Sequence, residues 1–141
     1  MALRWLTRRE HSREELTEKL RRKGCAGGVA EEVAARLAEE GLLSDERFAE
    51  ILVRSRRERG HGPLRIAKEL EEKGLTQDAI ERWVDPRSRD WVAQASRVRR
   101  RKFGARPPKD YAERARQARF LQYRGFTFDQ IKRALKEAGE D

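Results

Sequence analysis

The sequence has 141 residues, of which 42% are charged and 37% hydrophobic, and its formal net charge at pH 7 is +9. It contains one cysteine, which excludes an internal disulfide, and no apolar run approaches the roughly 18 residues of a membrane helix. The excess of Lys and Arg favours a polyanionic partner, namely DNA, RNA or an acidic protein surface. Because an apolar signal core is also missing from the first residues, we expect a cytoplasmic protein without membrane association.

The first part of the chain predicts three helices. Apolar residues at helical spacing place the first helix at residues 2–9. Ser12 and Glu15 have the spacing of a capping box, which predicts that the second helix begins there, and Gly24 ends it. The third helix is expected from Val29 to Glu40.

The second part of the chain repeats this plan. A long helix that contains Phe48 is expected to end near Gly60. Pro63 suits the first position of the next helix, because its missing N–H is not needed there, and Gly74 closes that helix. A short helix follows Thr76.

The third part again predicts three helices. The first follows Pro86 and ends at Gly104, and the second covers residues 110–125. Thr127 and Gln130 form another capping-box pair at the start of the last helix.

The three parts can be superimposed on one motif, a leucine followed four residues later by a glycine. The motif occurs at Leu20–Gly24, Leu70–Gly74 and Leu121–Gly125. Because its copies lie 50 and then 51 residues apart, we interpret the chain as three tandem repeats of three helices. We expect an all-α, elongated and curved array with repeats at residues 1–43, 44–84 and 85–141.

Signals for catalysis are weak. His11, His61 and Cys25 are the only soft metal ligands, and their spacing matches no metal site. Adjacent side chains in a helix cap rarely point together, so His11 and Ser12 are not expected to act as base and nucleophile. The sequence has no phosphate-binding glycine loop, and its carboxylates alternate with basic residues as in surface ion pairs. We therefore expect no enzyme activity, no metal and no cofactor.

Clusters of arginine are the more informative feature. With Val98 on the buried side of its helix, Arg97, Arg100 and Arg101 are expected to form one solvated face. Guanidinium groups in such clusters can bind phosphate or carboxylate, so DNA, an acidic protein surface and no partner all stay open. The candidate binding residues are Arg54, Arg57, Arg97, Arg100, Arg101, Arg116, Arg119, Arg124 and, as an exposed stacking group, Tyr123.

Several segments, in this order, resemble the RecX family of bacterial recombination regulators. The central match is GLLSDERFA at residues 41–49, although Ser44 stands where an acid is common. Further matches are REHSREEL at 9–16, GHGP at 60–63, KFG at 102–104 and RFLQYRGF at 119–126. The resemblance extends over essentially the whole chain.

The resemblance implies three tandem three-helix repeats and a partner, the RecA recombinase filament on single-stranded DNA. Proteins of this family bind in the filament groove or at its growing end, and they generally block extension. ATPase, strand exchange and SOS co-protease activity of the filament then decrease together. We expect a monomer that acts in this way and that can also contact single- or double-stranded DNA. The alternatives are a sequence-independent DNA-binding helical protein without a specific protein partner and, less consistent with the residues, a nuclease.

Overall fold

The computed structural model describes residues 1–140, with the side chain of residue 140 left aside. Over this range the chain forms nine α-helices and no strand, which confirms the all-α class. The helices are α1 (Ala2–Arg8), α2 (Arg13–Arg22), α3 (Val29–Glu39), α4 (Asp45–Glu58), α5 (Pro63–Glu72), α6 (Gln77–Trp83), α7 (Asp90–Phe103), α8 (Tyr111–Tyr123) and α9 (Phe128–Glu140). None of these nine helices has the length and apolar character required to cross a membrane.

The predicted capping residues begin their helices as expected. The Ser12 hydroxyl accepts a hydrogen bond from the backbone N–H of Glu15 at 3.1 Å, and the Glu15 carboxylate accepts one from the Ser12 N–H at 3.3 Å. Thr127 and Gln130 make the same reciprocal pair at 3.1 and 2.9 Å. These bonds satisfy backbone donors that the first turn of a helix leaves without a partner.

The leucine–glycine motif has one structural role in all three copies. Its glycines, Gly24, Gly74 and Gly125, have φ values of +100°, +88° and +99°. The N–H after each glycine donates to the carbonyl of the motif's leucine, at 3.1, 3.2 and 3.2 Å. This is the Schellman ending of a helix, in which a left-handed residue turns the chain and glycine avoids the Cβ strain. The three leucines, Leu20, Leu70 and Leu121, are 3%, 0% and 0% exposed. In each copy the motif therefore both ends a helix and places a leucine in the hydrophobic core.

The chain divides into two compact units. The first comprises Met1–Val53 and Glu69–Trp83. Its best-defined core lies between α2 and α3, where α1 and the chain after α3 also contribute. The buried side chains there are Ala2, Leu16, Leu20, Ala30, Ala34, Leu37 and Leu43.

The second unit comprises Arg54–Lys68 and the described residues from Val84 onward. Helix α7 packs against both α8 and α9, and α8 packs against α9. The buried side chains here include Ile66, Trp91, Ala95, Leu121, Phe126, Ile131, Ala134 and Leu135.

This second unit also buries a cation, which was not anticipated. Arg99 is only 2% exposed. Its guanidinium donates to the side-chain oxygen of the buried Gln117 at 3.2 Å and to the carbonyls of Gly104 and Arg106 at 3.3 Å each. Because these carbonyls belong to the segment between α7 and α8, Arg99 holds that connection in place.

Related helix ends meet in an equivalent way in each unit. In the first unit, the Ser12 hydroxyl at the start of α2 donates to the Lys73 carbonyl after α5 at 2.7 Å. In the second unit, the Gly62 N–H before α5 donates to the Arg124 carbonyl after α8, also at 2.7 Å. Residues 12 and 62 occupy the same place in the repeat, as do 73 and 124. Both bonds therefore join the beginning of the second helix of one repeat to the end of the second helix of the next, α2 to α5 and α5 to α8. Such contacts pair the positive and negative ends of helix dipoles.

A cationic cavity as candidate binding site

A hollow in the second unit lies among the C-terminal end of α4, the middle of α7 and the end of α8. Its volume is about 880 Å³. Its lining, called here the cationic cavity, consists of Arg57, Glu58, Arg59, Gly60, Gln94, Arg97, Val98, Arg101, Lys102, Phe120 and Arg124. Six of these residues are cations and one is a carboxylate, so the formal charge of the lining is +5.

Arg124 is fixed at one side of the cavity by two uncharged groups. Its Nη1 donates to the backbone carbonyl of Arg59 at 2.8 Å. Its guanidinium also lies 4.8 Å from the centre of the Phe120 ring, and the Lys102 ammonium lies 5.7 Å from the same ring. Cation–π contacts of this kind stabilise the cations and leave their charge intact.

Gln94 links α4 to α7 at the other side of the cavity. It is 5% exposed, and its amide nitrogen donates to the backbone carbonyl of Arg57 at 2.7 Å. Its amide oxygen accepts from Nη2 of Arg97 at 2.9 Å. The guanidinium of Arg57 in turn lies 4.6 Å from the centre of the buried Trp91 ring. Neutral side chains therefore position both arginines.

The charge of the cavity is not compensated by neighbouring acids. Among the side chains of residues 1–139, no ion pair joins any of the six cations to a carboxylate. The first unit differs, because Arg9 pairs with Glu15 at 2.9 Å and Arg47 pairs with Glu10 at 2.8 Å. A cleft lined by one sign of charge concentrates the field and attracts anions. The arrangement can therefore bind a polyanion.

The candidate residues from the sequence fall into separate places. Arg57, Arg97, Arg101 and Arg124 come together in the cationic cavity. Arg100 lies instead, with Arg97, in a second hollow of about 280 Å³ that α9 also lines. Arg97, Arg100 and Arg101 are all exposed, as expected, but they line two different hollows.

The remaining candidates lie outside both hollows. Arg54 is exposed on α4. Arg116, Arg119 and Tyr123 follow one another at helical spacing on an exposed face of α8. Tyr123 is 78% exposed, as its pattern predicted, and the guanidinium of Arg65 lies 5.6 Å from its ring centre.

Two residues of the cavity, Arg59 and Gln94, were not among the candidate binding residues, and neither was the buried Arg99 of the second hollow. Arg59 follows the last turn of α4, where helical periodicity no longer indicates direction. Gln94 lies in the apolar stripe between Trp91 and Ala95, and a polar residue at such a place was the available signal. Arg99 lies four residues after Ala95 and so continues the buried stripe of α7.

The side chains of His11 and Ser12 bind different groups and do not contact a shared partner. Ser12 caps α2, while Nδ1 of His11 lies 3.1 Å from the Arg9 carbonyl and Nε2 lies 3.4 Å from the Lys19 ammonium. Burial lowers the pKa of His11 below its usual value. Among the described residues, no three His, Cys, Asp or Glu side chains are grouped closely enough to hold a metal ion.

Comparison with known proteins identifies relatives along almost the whole chain. Family models described as the first, second and third three-helix domains of RecX match residues 1–37, 44–82 and 89–135. The Regulatory protein RecX of Halorhodospira halophila is 53% identical over 140 residues, which are 99% of this chain and 87% of that protein. The Regulatory protein RecX of Pseudomonas fluorescens is 46% identical over 136 residues, covering 96% of this chain and 88% of the relative.

Solved structures show the same fold. The crystal structure of RecX from Lactobacillus salivarius superimposes with a TM-score of 0.85 at 23% identity, over 99% of this chain and 93% of that one. Together with the family matches, this confirms three tandem three-helix domains. The repeat limits 1–43, 44–84 and 85–141 stay predictions.

Proposed function

The chain belongs to the RecX family of regulatory proteins, and on that premise we propose that it binds the RecA recombinase filament on single-stranded DNA and inhibits it. In this proposal the protein acts in the cytoplasm as a monomer, by binding and not by catalysis. Filament extension, ATPase, strand exchange and SOS co-protease activity decrease together, because all four depend on an intact filament.

The observation that carries the proposal is the uncompensated charge of the cationic cavity. Arg97 and Arg124 each use one guanidinium nitrogen for a hydrogen bond within the chain. The other guanidinium N–H groups of the cavity can bind carboxylates on a protein surface or phosphates of DNA. Arg116, Arg119 and Tyr123 on α8 provide a second exposed contact surface. Two weak contacts on one chain strengthen each other, since the second forms at the high effective concentration created by the first.

Sequence-independent DNA binding is the alternative function, and the exposed ring of Tyr123 favours it. An exposed aromatic ring with arginines nearby can stack bases of single-stranded DNA without reading their sequence. On this alternative, affinity for bare DNA decreases steeply with salt, because each phosphate contact releases a counterion.

The experiment is a titration of the protein into a RecA ATPase reaction on single-stranded DNA at constant salt. Inhibition at far less than one copy per RecA supports binding to the filament. Inhibition only at amounts that coat the DNA supports the alternative, and absence of inhibition contradicts the proposed effect.

A triple variant tests the contact surface. Replacement of Arg97, Arg100 and Arg101 by alanine is expected to raise the concentration for half-inhibition by about 10-fold or more, equivalent to about 1.4 kcal/mol of binding free energy. The matched control replaces three exposed cations that line neither hollow, Lys109, Lys132 and Lys136, by alanine. Equal effects of the two variants would mean that only net charge matters. Melting curves establish that both variants are folded.

A further inference from the structure

The cationic cavity has the dimensions of a small-molecule site. Binding pockets for such ligands are clefts of about 300–1,000 Å³, and this one measures about 880 Å³. Gly60 contributes to this open space. A Cβ atom there would lie 3.0 Å from Nη1 of Arg124 and 3.3 Å from Cγ2 of Val98. Absence of a side chain at Gly60 thus keeps the wall between α4, α7 and α8 open.

The charge of the lining specifies the ligand. Six cations and one carboxylate in this volume match a compact ligand with several negative charges. A single carboxylate group would neutralise only one of the cations. A chain of linked phosphates concentrates its charges over a few bonds, and each phosphate offers several acceptor oxygens to arginine.

The donors are already positioned for phosphates. The guanidinium groups of Arg57 and Arg124 lie against aromatic rings, which leaves their in-plane N–H groups to bind other partners. Nη1 of Arg124 donates to the Arg59 carbonyl, and its remaining N–H groups can bind phosphate. Arg97 and Arg101 are one turn apart on α7, so their side chains leave the helix about 5–6 Å from each other. Four guanidinium groups can therefore surround one phosphate chain.

The rest of the lining suits a nucleoside. Val98 and Phe120 provide apolar surface, and the Glu58 carboxylate can accept hydrogen bonds from hydroxyl or amino groups of a ligand. The Phe120 ring already has the cations of Arg124 and Lys102 over it, and Phe103 contacts it in a T-shaped pair at 5.3 Å. The cavity therefore lacks the open aromatic platform on which successive bases of a nucleic-acid strand would stack.

We propose that the cationic cavity is a binding site for a nucleoside triphosphate, with the phosphate chain held by Arg57, Arg97, Arg101 and Arg124. The site is independent of RecA and of any macromolecular partner. One consequence does rest on the proposed function: if the same arginines contact the filament, nucleotide and filament compete for them.

Calorimetric titration of the full chain tests the site in the absence of RecA, DNA and divalent metal. ATP is expected to bind. AMP is expected to bind at least about 10-fold more weakly than ATP, because it carries a single phosphate. Inorganic triphosphate binding separates the contributions of the phosphates and the nucleoside, and measurable binding supports the phosphate site. Absence of ATP binding, or equal affinities for AMP and ATP, would overturn the proposal. Binding of oligothymidylate without binding of ATP would overturn it too and assign the cavity to a strand.

Charge-matched variants locate the binding. Arg97→Gln with Arg101→Gln is expected to weaken ATP binding by about 10-fold or more, whereas Lys132→Gln with Lys136→Gln on α9 changes it by less than about 2-fold. Similar losses in both variants would show general attraction by net charge and refute the site.

The single variant Arg101→Gln tests the site without the risk that a folding defect causes the loss of binding. Arg101 is exposed and makes no hydrogen bond or ion pair in the described structure, so its replacement leaves the fold intact. A loss of about 3-fold or more in ATP affinity is expected. Unchanged affinity would contradict the assignment. RecA is not present in these titrations, so a negative result would contradict the nucleotide site and not the proposed inhibition of RecA. A negative result in the RecA ATPase titration would contradict the proposed inhibition and not the nucleotide site.

Discussion

Gly62→Ala tests the contact between the beginning of α5 and the end of α8. The Gly62 N–H donates to the Arg124 carbonyl at 2.7 Å, and the Leu64 N–H donates to the Gly125 carbonyl at 2.9 Å. A Cβ atom on residue 62 would lie 2.5 Å from the carbonyl carbon of Gly125 and 2.6 Å from the N of Phe126. Both are backbone atoms that cannot rotate away, so the two helix ends must separate.

The expected cost combines two effects. Overpacking of a tight contact costs about 1–3 kcal/mol, and weakening of two hydrogen bonds adds about 0.5–1.5 kcal/mol each. Alanine reduces the entropy of the unfolded chain, which offsets about 0.4–1 kcal/mol. We therefore expect Gly62→Ala to lower the free energy of unfolding by about 2–4 kcal/mol, or the melting temperature by roughly 6–15 °C.

Urea and thermal unfolding followed by circular dichroism measure this change. Gly139→Ala is the matched control, because a Cβ atom there meets nothing within 4 Å and the residue lies on an exposed position of α9. We expect the control to be unchanged or more stable by up to about 1 kcal/mol. A Gly62→Ala protein within about 0.5 kcal/mol of the original would refute the steric argument.

Two further predictions concern buried charge and pH. Arg99→Met leaves the acceptors of the α7–α8 connection without their donor, so we expect the free energy of unfolding in urea to fall by about 1–3 kcal/mol. The control Arg101→Met, at an exposed position, is expected to change it by less than about 0.5 kcal/mol. Equal losses in the two variants would contradict the role of Arg99. Although burial opposes it, pairing with Arg9 and Lys73 lowers the pKa of Glu15 from 4.5 to about 2. Because the folded state holds this carboxylate ionised, its contribution to stability is complete above pH 4.5 and is lost as the pH falls towards 2. Urea midpoints should thus decrease more between pH 5 and 2 than those of Glu15→Gln, and parallel curves would count against this pairing.

The sequence alone determined the helices and their repetition. Ser12 and Glu15 begin α2, and glycines at equivalent places end the middle helices, because capping and chain reversal depend on residues within one or two turns. Such local signals survive whatever the helix packs against. The predicted ends of α1 and α3 differ from the observed ones by a single residue, Arg9 and Glu40, each of which follows its helix as a cap.

The tertiary structure decided which charged side chains come together. Arg57 on α4, Arg97 on α7 and Arg124 directly after α8 meet because packing in the second unit brings these three segments together. Arg99 and Arg100 are neighbours in sequence, yet one is 2% exposed and the other exposed, since the segment after α7 covers only one side of the helix. Periodicity gives the direction of a side chain from its own helix, but the position of the next helix depends on contacts between residues far apart in the chain. The cationic cavity is a product of those distant contacts.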